Sequence, residues 1–305
     1  MKIKYLNEVV RQRRKELNVS QRMVCEGLCA TMTLSRFESG QQTPSWSCAA
    51  AILQRLELPD EQIFAQLTRE ETRLVLLRKE ILASCGRFEQ TLGEEREQAR
   101  MQILEKLRDL ERCIKKDDRI NQQFFQMSKI IVGLFAPQNR LEMLMETIRL
   151  TSPRFDLNDI SKCLYCSNEV MIINQIGRAY SDCAQPKIAV NIYEQLMTLV
   201  LNRAPNHEYL PLIAYNYARC LVLENRMKEA LEISELGRQI CTRQEHYYLL
   251  PKFLHVEAEC LYFTGEADSS RDFYRSAYHI YGALANTSDQ EILKYAAKKY
   301  LNLLF

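Results

Sequence analysis

No stretch of this chain approaches the roughly 20 consecutive apolar residues of a membrane-spanning helix, so no membrane partner is expected. Its nine glycines never stand two apart, which removes the GxGxxG turn of dinucleotide-binding folds. No Gly-Lys precedes Ser or Thr, which removes the phosphate loop, and the four scattered histidines form no HExxH zinc site. The first residues alternate in charge and lack the apolar segment of a signal peptide, so the chain is expected in the cytoplasm, where its eleven cysteines stay reduced. Cys163 and Cys166 have CxxC spacing, and Cys25 and Cys29 lie one helical turn apart. A zinc site needs four ligands, however, and no second pair of Cys or His follows, so neither metal nor other cofactor is expected. The thiols at 183, 220, 241 and 260 read as small core residues of helices. No residue is nominated as catalytic, and an enzyme is not expected.

What is present is length, apolar content and uneven charge. With 305 residues, 47% of them hydrophobic, the chain has material for two domains and for a substantial core. The net charge of +2 says little about partners, but residues 1–56 hold nine Lys or Arg against four Glu, a local excess of five positive charges. Such a regional excess points to nucleic acid at that end.

Residues 20–44, SQRMVCEGLCATMTLSRFESGQQTP, organise that region. Met23, Val24, Leu28, Leu34 and Phe37 place apolar side chains on one face of two short helices, with a tight connection at Cys29-Ala30. Ser20 suits the N-cap of the first helix and Thr31 that of the second, and Gly40 ends the second. Leu6, Val9, Val10, Arg13 and Leu17 give a preceding helix closed by Asn18. Pro44-Ser45 begins a fourth helix with Trp46, Ala50, Leu53 and Leu56 inward, and Pro59-Asp60 begins a fifth with Ile63, Phe64 and Leu67.

The order Ser20-Gln21, Cys25-Glu26-Gly27-Leu28-Cys29 and Ser35-Arg36-Phe37-Glu38-Ser39-Gly40 resembles the repressor-type (xenobiotic-response-element) helix-turn-helix family. Within it, the chain resembles the short-turn variant of the Rgg-type and PlcR-type peptide-sensing regulators of Gram-positive bacteria, the class called RRNPP. The likeness covers residues 5–66 and departs at Val24-Cys25, where such domains carry Leu-Ala. It implies a buried Arg14–Glu38 ion pair that fixes the recognition helix, and a phosphate held by Ser20 and Gln21 at a helix N-terminus. It further implies base contacts from Thr31, Met32, Thr33 and Arg36, with Gly40 and Gln41 on the DNA backbone. The alternative reading of the same residues makes Ser20, Gln21 and Thr31 helix caps, Met32 packing and Arg36 a solvated charge.

Residues 67–118 read as long amphipathic linking helices, broken at Gly86 and Gly93. Beyond them the chain repeats. Segments 173–197, 214–238 and 254–278 align without gaps, with small residues at Gly177, Ala218 and Ala258, then at Ala189, Ala230 and Ser270. Large residues stand three after the first set (Tyr180, Leu221, Leu261), and Leu196, Gly237 and Ala277 stand nineteen after it. A fainter copy runs from Phe124 to Pro153. This resembles the tetratricopeptide repeat, lengthened to a spacing of 41 and 40 residues as in the peptide-sensing regulators. A last helix, Asp289 to Phe305, ends too apolar to stand unpartnered and caps the solenoid or joins a dimer.

In that register the concave face carries Gln126 and Ile130, Asn174 and Arg178, Tyr215 and Arg219, and His255 and Glu259. Asn and Gln can pair with the amides and carbonyls of an extended peptide, and Arg178 and Arg219 with a carboxylate. The expectation is an all-α protein with a five-helix DNA-binding domain at 1–66, linking helices at 67–118 and a TPR-like domain with a C-terminal capping helix at 119–305. The expected partners are double-stranded DNA, a short signalling peptide of the quorum-sensing type and a second copy of the chain in a homodimer. The alternative is an interaction adaptor whose solenoid grips a partner protein.

Overall fold

The computed structural model describes residues 5–60, 67–91 and 93–305. Among them every regular element is helical. The chain divides into two compact units, one of Met1–Glu89 and Gly93–Ile173, the other of Asn174–Phe305 with Gln90–Leu92. No helix among the described residues is long and apolar enough to cross a membrane.

The first unit opens with α1 (Leu6–Glu16), α2 (Gln21–Cys25), α3 (Thr31–Glu38) and α4 (Trp46–Arg55). Left-handed Asn18 follows α1, and Gly40 at φ +75° follows α3. The fifth helix expected from Pro59 to Leu67 falls largely on residues 61–66, outside the described residues. Two local expectations are corrected. The connection before α3 spans Glu26–Ala30, so Leu28 lies in the turn and Ala30, not Thr31, occupies the N-cap. Thr31 is instead the first helical residue, and its Oγ1 accepts from Cys25 Sγ at 3.7 Å. Gly86 breaks nothing: α5 (Arg69–Gln90) runs through it, and the break comes before α6 (Gly93–Cys113). An isolated glycine costs a long helix only about 1 kcal/mol.

The core of Val10, Val24, Leu34, Phe37, Ile52, Leu53 and Leu56 does not stop at α4, because Ile120, Leu164 and Cys166 complete it. Ile120 belongs to α7 (Arg119–Ile131), which pairs with α8 (Arg140–Arg149) at the position of the faint repeat and also packs on α4.

The remaining pairs are α9 (Ser167–Asp182) with α10 (Pro186–Arg203), α11 (Leu210–Leu223) with α12 (Met227–Arg243), and α13 (Leu250–Phe263) with α14 (Ala267–Ala283). The small residues that mark the repeat are buried throughout. Their size is required: a Cβ on Gly177 would stand 2.7 Å from Tyr193 Cζ, and one on Gly237 would stand 2.3 Å from Phe253 Cε1. Cys220, Cys241 and Cys260 are buried in these helices, whereas Cys183 lies in the turn after α9 and is exposed.

The last helix, α15, runs from Thr287 to Leu301, shorter than expected. Its Leu293, Ala296 and Ala297 pack on Ala258, Tyr274, Ala277 and Tyr281. Phe305, beyond the helix, stacks on Tyr278 with ring centres 4.3 Å apart, so much of the apolar terminus covers its own solenoid. Gly237→Ala should destabilise the protein by about 1–3 kcal/mol through overpacking. A lower urea midpoint with an unchanged m value would show this.

Candidate functional site

The reading head is built on α2 and α3. The Ser20 hydroxyl accepts from Met23 N at 3.1 Å and caps α2. In α3, Leu34, Phe37 and Glu38 turn inward while Thr31, Met32 and Arg36 are exposed and Thr33 is half-buried. Arg36 makes no side-chain hydrogen bond or ion pair among the described residues. Ser20, Gly40 and Gln41 are exposed as well.

The inward end of α3 is fixed by charge. Arg14 Nε donates to Glu38 Oε1 at 2.5 Å and Nη2 to Oε2 at 3.0 Å, a bidentate pair in which both groups are largely removed from solvent. Gln21 Nε2 donates to the same Oε2 at 2.7 Å, so its amide is engaged within the head. Burial pushes the Glu38 carboxyl up, but the bonds from Arg14 and Gln21 outweigh it and hold it below the usual carboxylate range.

A second charged centre, which sequence reasoning missed, lies behind the turn. Arg55 is buried at 3% exposure, and its Nη1 donates to Val24 O at 3.0 Å and Glu26 O at 2.7 Å. Its Nη2 donates to Thr151 O at 3.0 Å and to Glu169 Oε1 at 2.8 Å. Glu169, fully buried, also accepts from the hydroxyls of Thr151 (2.6 Å) and Ser152 (2.7 Å) and from Cys166 N (2.7 Å). Burial alone raises the Glu169 carboxyl, and the Arg55 charge with these donors brings it below the ordinary value. The one sequence signal was an arginine, beside Gln54, near the end of the otherwise apolar stretch Ala49–Leu56.

The proposed ligand row divides. Gln126 stands half-buried on α7 with buried Ile130, while the other six residues lie on α9, α11 and α13 of the second unit. Asn174 is buried, and its Oδ1 accepts from Asn216 Nδ2 at 2.9 Å. Arg178 is half-buried on the same helix. Arg219 forms an ion pair with Glu259, so its carboxylate partner is already within the chain. His255 Nε2 lies 3.8 Å from Glu259 Oε1, and burial pushes this imidazole below its ordinary pKa, which keeps it neutral at pH 7. Tyr215 meets Phe253 edge-on, and Lys252, paired with Asp289 at 2.8 Å, lies over the Tyr215 ring. The face is thus polar, and Arg219 and Lys252 on it are each met by a carboxylate of the chain.

Residues 154–302 match the RNPP family C-terminal domain. The match makes that stretch, just under half of the chain, an RNPP-type C-terminal domain. The RNPP assignment has structural company. PlcR of Bacillus thuringiensis, solved in complex with the peptide PapR7 and DNA, is 19% identical with a TM-score of 0.59 over 94% of this chain and 98% of its own. The apo form of the competence regulator ComR from Streptococcus vestibularis is 15% identical with a TM-score of 0.52, over 97% of each chain. At these identities the likeness is one of fold. No curated protein matches the chain in sequence.

Arg55→Met leaves Glu169 buried without its cation and should cost about 3–5 kcal/mol in chemical denaturation. The same pair predicts acid sensitivity. Because the folded-state pKa of Glu169 is depressed, its contribution is present above the unfolded carboxylate value of about 4.3 and is lost as pH falls through the folded value. Urea midpoints measured on the wild type and on Glu169→Gln should converge as the pH is lowered through that range.

Proposed function

We propose that this protein is a DNA-binding transcription regulator whose repeat domain takes up a short signalling peptide in the cytoplasm. The observation that carries the reading is the pairing of two parts in one chain. One is a helix-turn-helix with an ion-paired recognition helix and an open outer face; the other is an RNPP-family domain with a polar inner face. PlcR, of the same fold, has been captured with both a peptide and DNA. In this reading the residues 1–66 read DNA, and Thr31, Met32, Thr33 and Arg36 face base edges, with Arg36 able to fork onto guanine. Ser20, Gly40 and Gln41 meet the backbone. One recognition helix reads few base pairs, so a homodimer on paired half-sites supplies the specificity.

On the inner face, Asn174, Tyr215 and His255 offer hydrogen bonds to an extended peptide backbone. Because Arg219 and Glu259 neutralise each other, this stretch suits a peptide's uncharged main chain better than a lone carboxylate. The site binds rather than catalyses.

Arg36→Ala should weaken binding to the selected operator by about 1–3 kcal/mol while binding to unrelated duplex changes less. Equal loss on every sequence in a gel-shift titration would remove Arg36 from base reading. For the repeat domain, native mass spectrometry of protein purified gently from its host should release a short peptide that Asn174→Ala fails to retain. An empty wild-type protein, repeated after exposure to spent medium, would favour a protein partner for the solenoid.

A further inference from the structure

α2 is five residues long, and beyond the bonds from Leu28 N and Cys29 N to Cys25 O the turn that launches α3 is held by something else. That something is the first helical repeat. Arg55 takes Val24 O and Glu26 O with one nitrogen and Thr151 O and Glu169 with the other, so one buried guanidinium joins the turn to the end of α8 and the start of α9. Gly27, in the middle of the turn at φ +70°, lies so close that a Cβ there would sit 2.1 Å from Thr151 O. From outside, Arg154 grips Glu26 through two bonds of 2.5 Å. Further along α4, Gln54 Oε1 accepts from Ser167 N at 3.0 Å. None of these contacts uses Thr31, Met32 or Arg36, whose exposure leaves the reading face open. A joint that masked the head would cover that face; this one fixes the helix from behind.

We infer that the first repeat is part of the DNA-reading apparatus, with Arg55 and Glu169 as positioning residues that set the angle of α3 without touching DNA. The inference rests on the DNA-reading function proposed above. It separates the angle of the recognition helix, set by Glu169 and Thr151 more than 100 positions downstream, from the identity of the bases, read by α3 itself.

The test is selection from a library of randomised duplex DNA with the full-length chain, comparing wild type, Arg36→Ala, Glu169→Gln and Arg154→Ala. Arg36→Ala should flatten the preference at the base pair it reads. Glu169→Gln should flatten it at every read position, with about a tenfold loss in the ratio of selected to scrambled duplex affinity, comparable to one mismatch. Arg154→Ala removes only an exposed bridge and should do the same more weakly, about threefold. Circular dichroism and thermal melts accompany each variant. A merely structural role lowers the melting temperature but leaves the sharpness of the preference unchanged in the folded fraction, and that result for Glu169→Gln overturns the inference. If Glu169→Gln fails to fold, Arg154→Ala decides: flattening across the site supports the inference, and an unchanged preference overturns it. A wild type that selects no sequence removes the DNA-reading function and the inference with it. A sharp wild type matched by equally sharp variants removes the inference alone.

Discussion

A guanidinium with no route to water must have its charge answered by the protein, and Arg55 does this through Nη1 and Nη2, its Nε staying unpaired among the described residues, by gathering groups from three separate parts of the chain. Two carbonyls come from the helix-turn-helix, one from the end of α8, and the carboxylate from α9. Once that assembly forms, the turn before the recognition helix has a defined backing and the apolar core running from Val10 to Cys166 closes around it. The Arg14–Glu38 pair then fixes the other end of the same helix. Between them the two charged centres pin α3 at its entry and at its exit, while Met32 and Arg36 stay exposed on its outer face.

The second unit depends on a different constraint, the volume of side chains at helix contacts. Gly177, Ala218, Ala258 and Gly237 let paired helices approach until Tyr193 and Phe253 fill the space. This close packing presents the first helix of each pair as a shared polar surface. On that surface Asn174 meets Asn216, and Arg219 meets Glu259, so neighbouring repeats are already linked by hydrogen bonds of the kind a ligand would use.

Much of this was legible in the sequence because it is encoded locally. A serine at a helix start, left-handed Asn18 and Gly40, and small residues recurring at 41 and 40 positions each act through near neighbours or a fixed period. The misreadings were local too. Thr31 has the chemistry of a cap, but a turn from 26 to 30 gave that place to Ala30. Gly86 is a poor helix former that a 22-residue helix absorbs. What could not be read was the pairing of distant charges. Arg55 and Glu169 are 114 residues apart, and Arg219 and Glu259 are 40 apart. The first spacing follows from no helix or repeat period and neither residue was singled out, whereas Arg219 and Glu259 stand one repeat apart and were read as separate ligand contacts.

The buried pair also restricts how this sequence can change over time. Losing either charge strands the other in a low-dielectric interior, whereas replacing both with apolar groups of similar volume can be nearly neutral. The two positions are therefore strongly epistatic: single steps cross a valley, and only a joint exchange or a prior gain of stability elsewhere opens a path. The head and the first repeat cannot drift independently. A domain exchange that grafted this helix-turn-helix onto another repeat array, cutting anywhere between Arg55 and Glu169, would inherit an orphaned cation at the centre of its new joint.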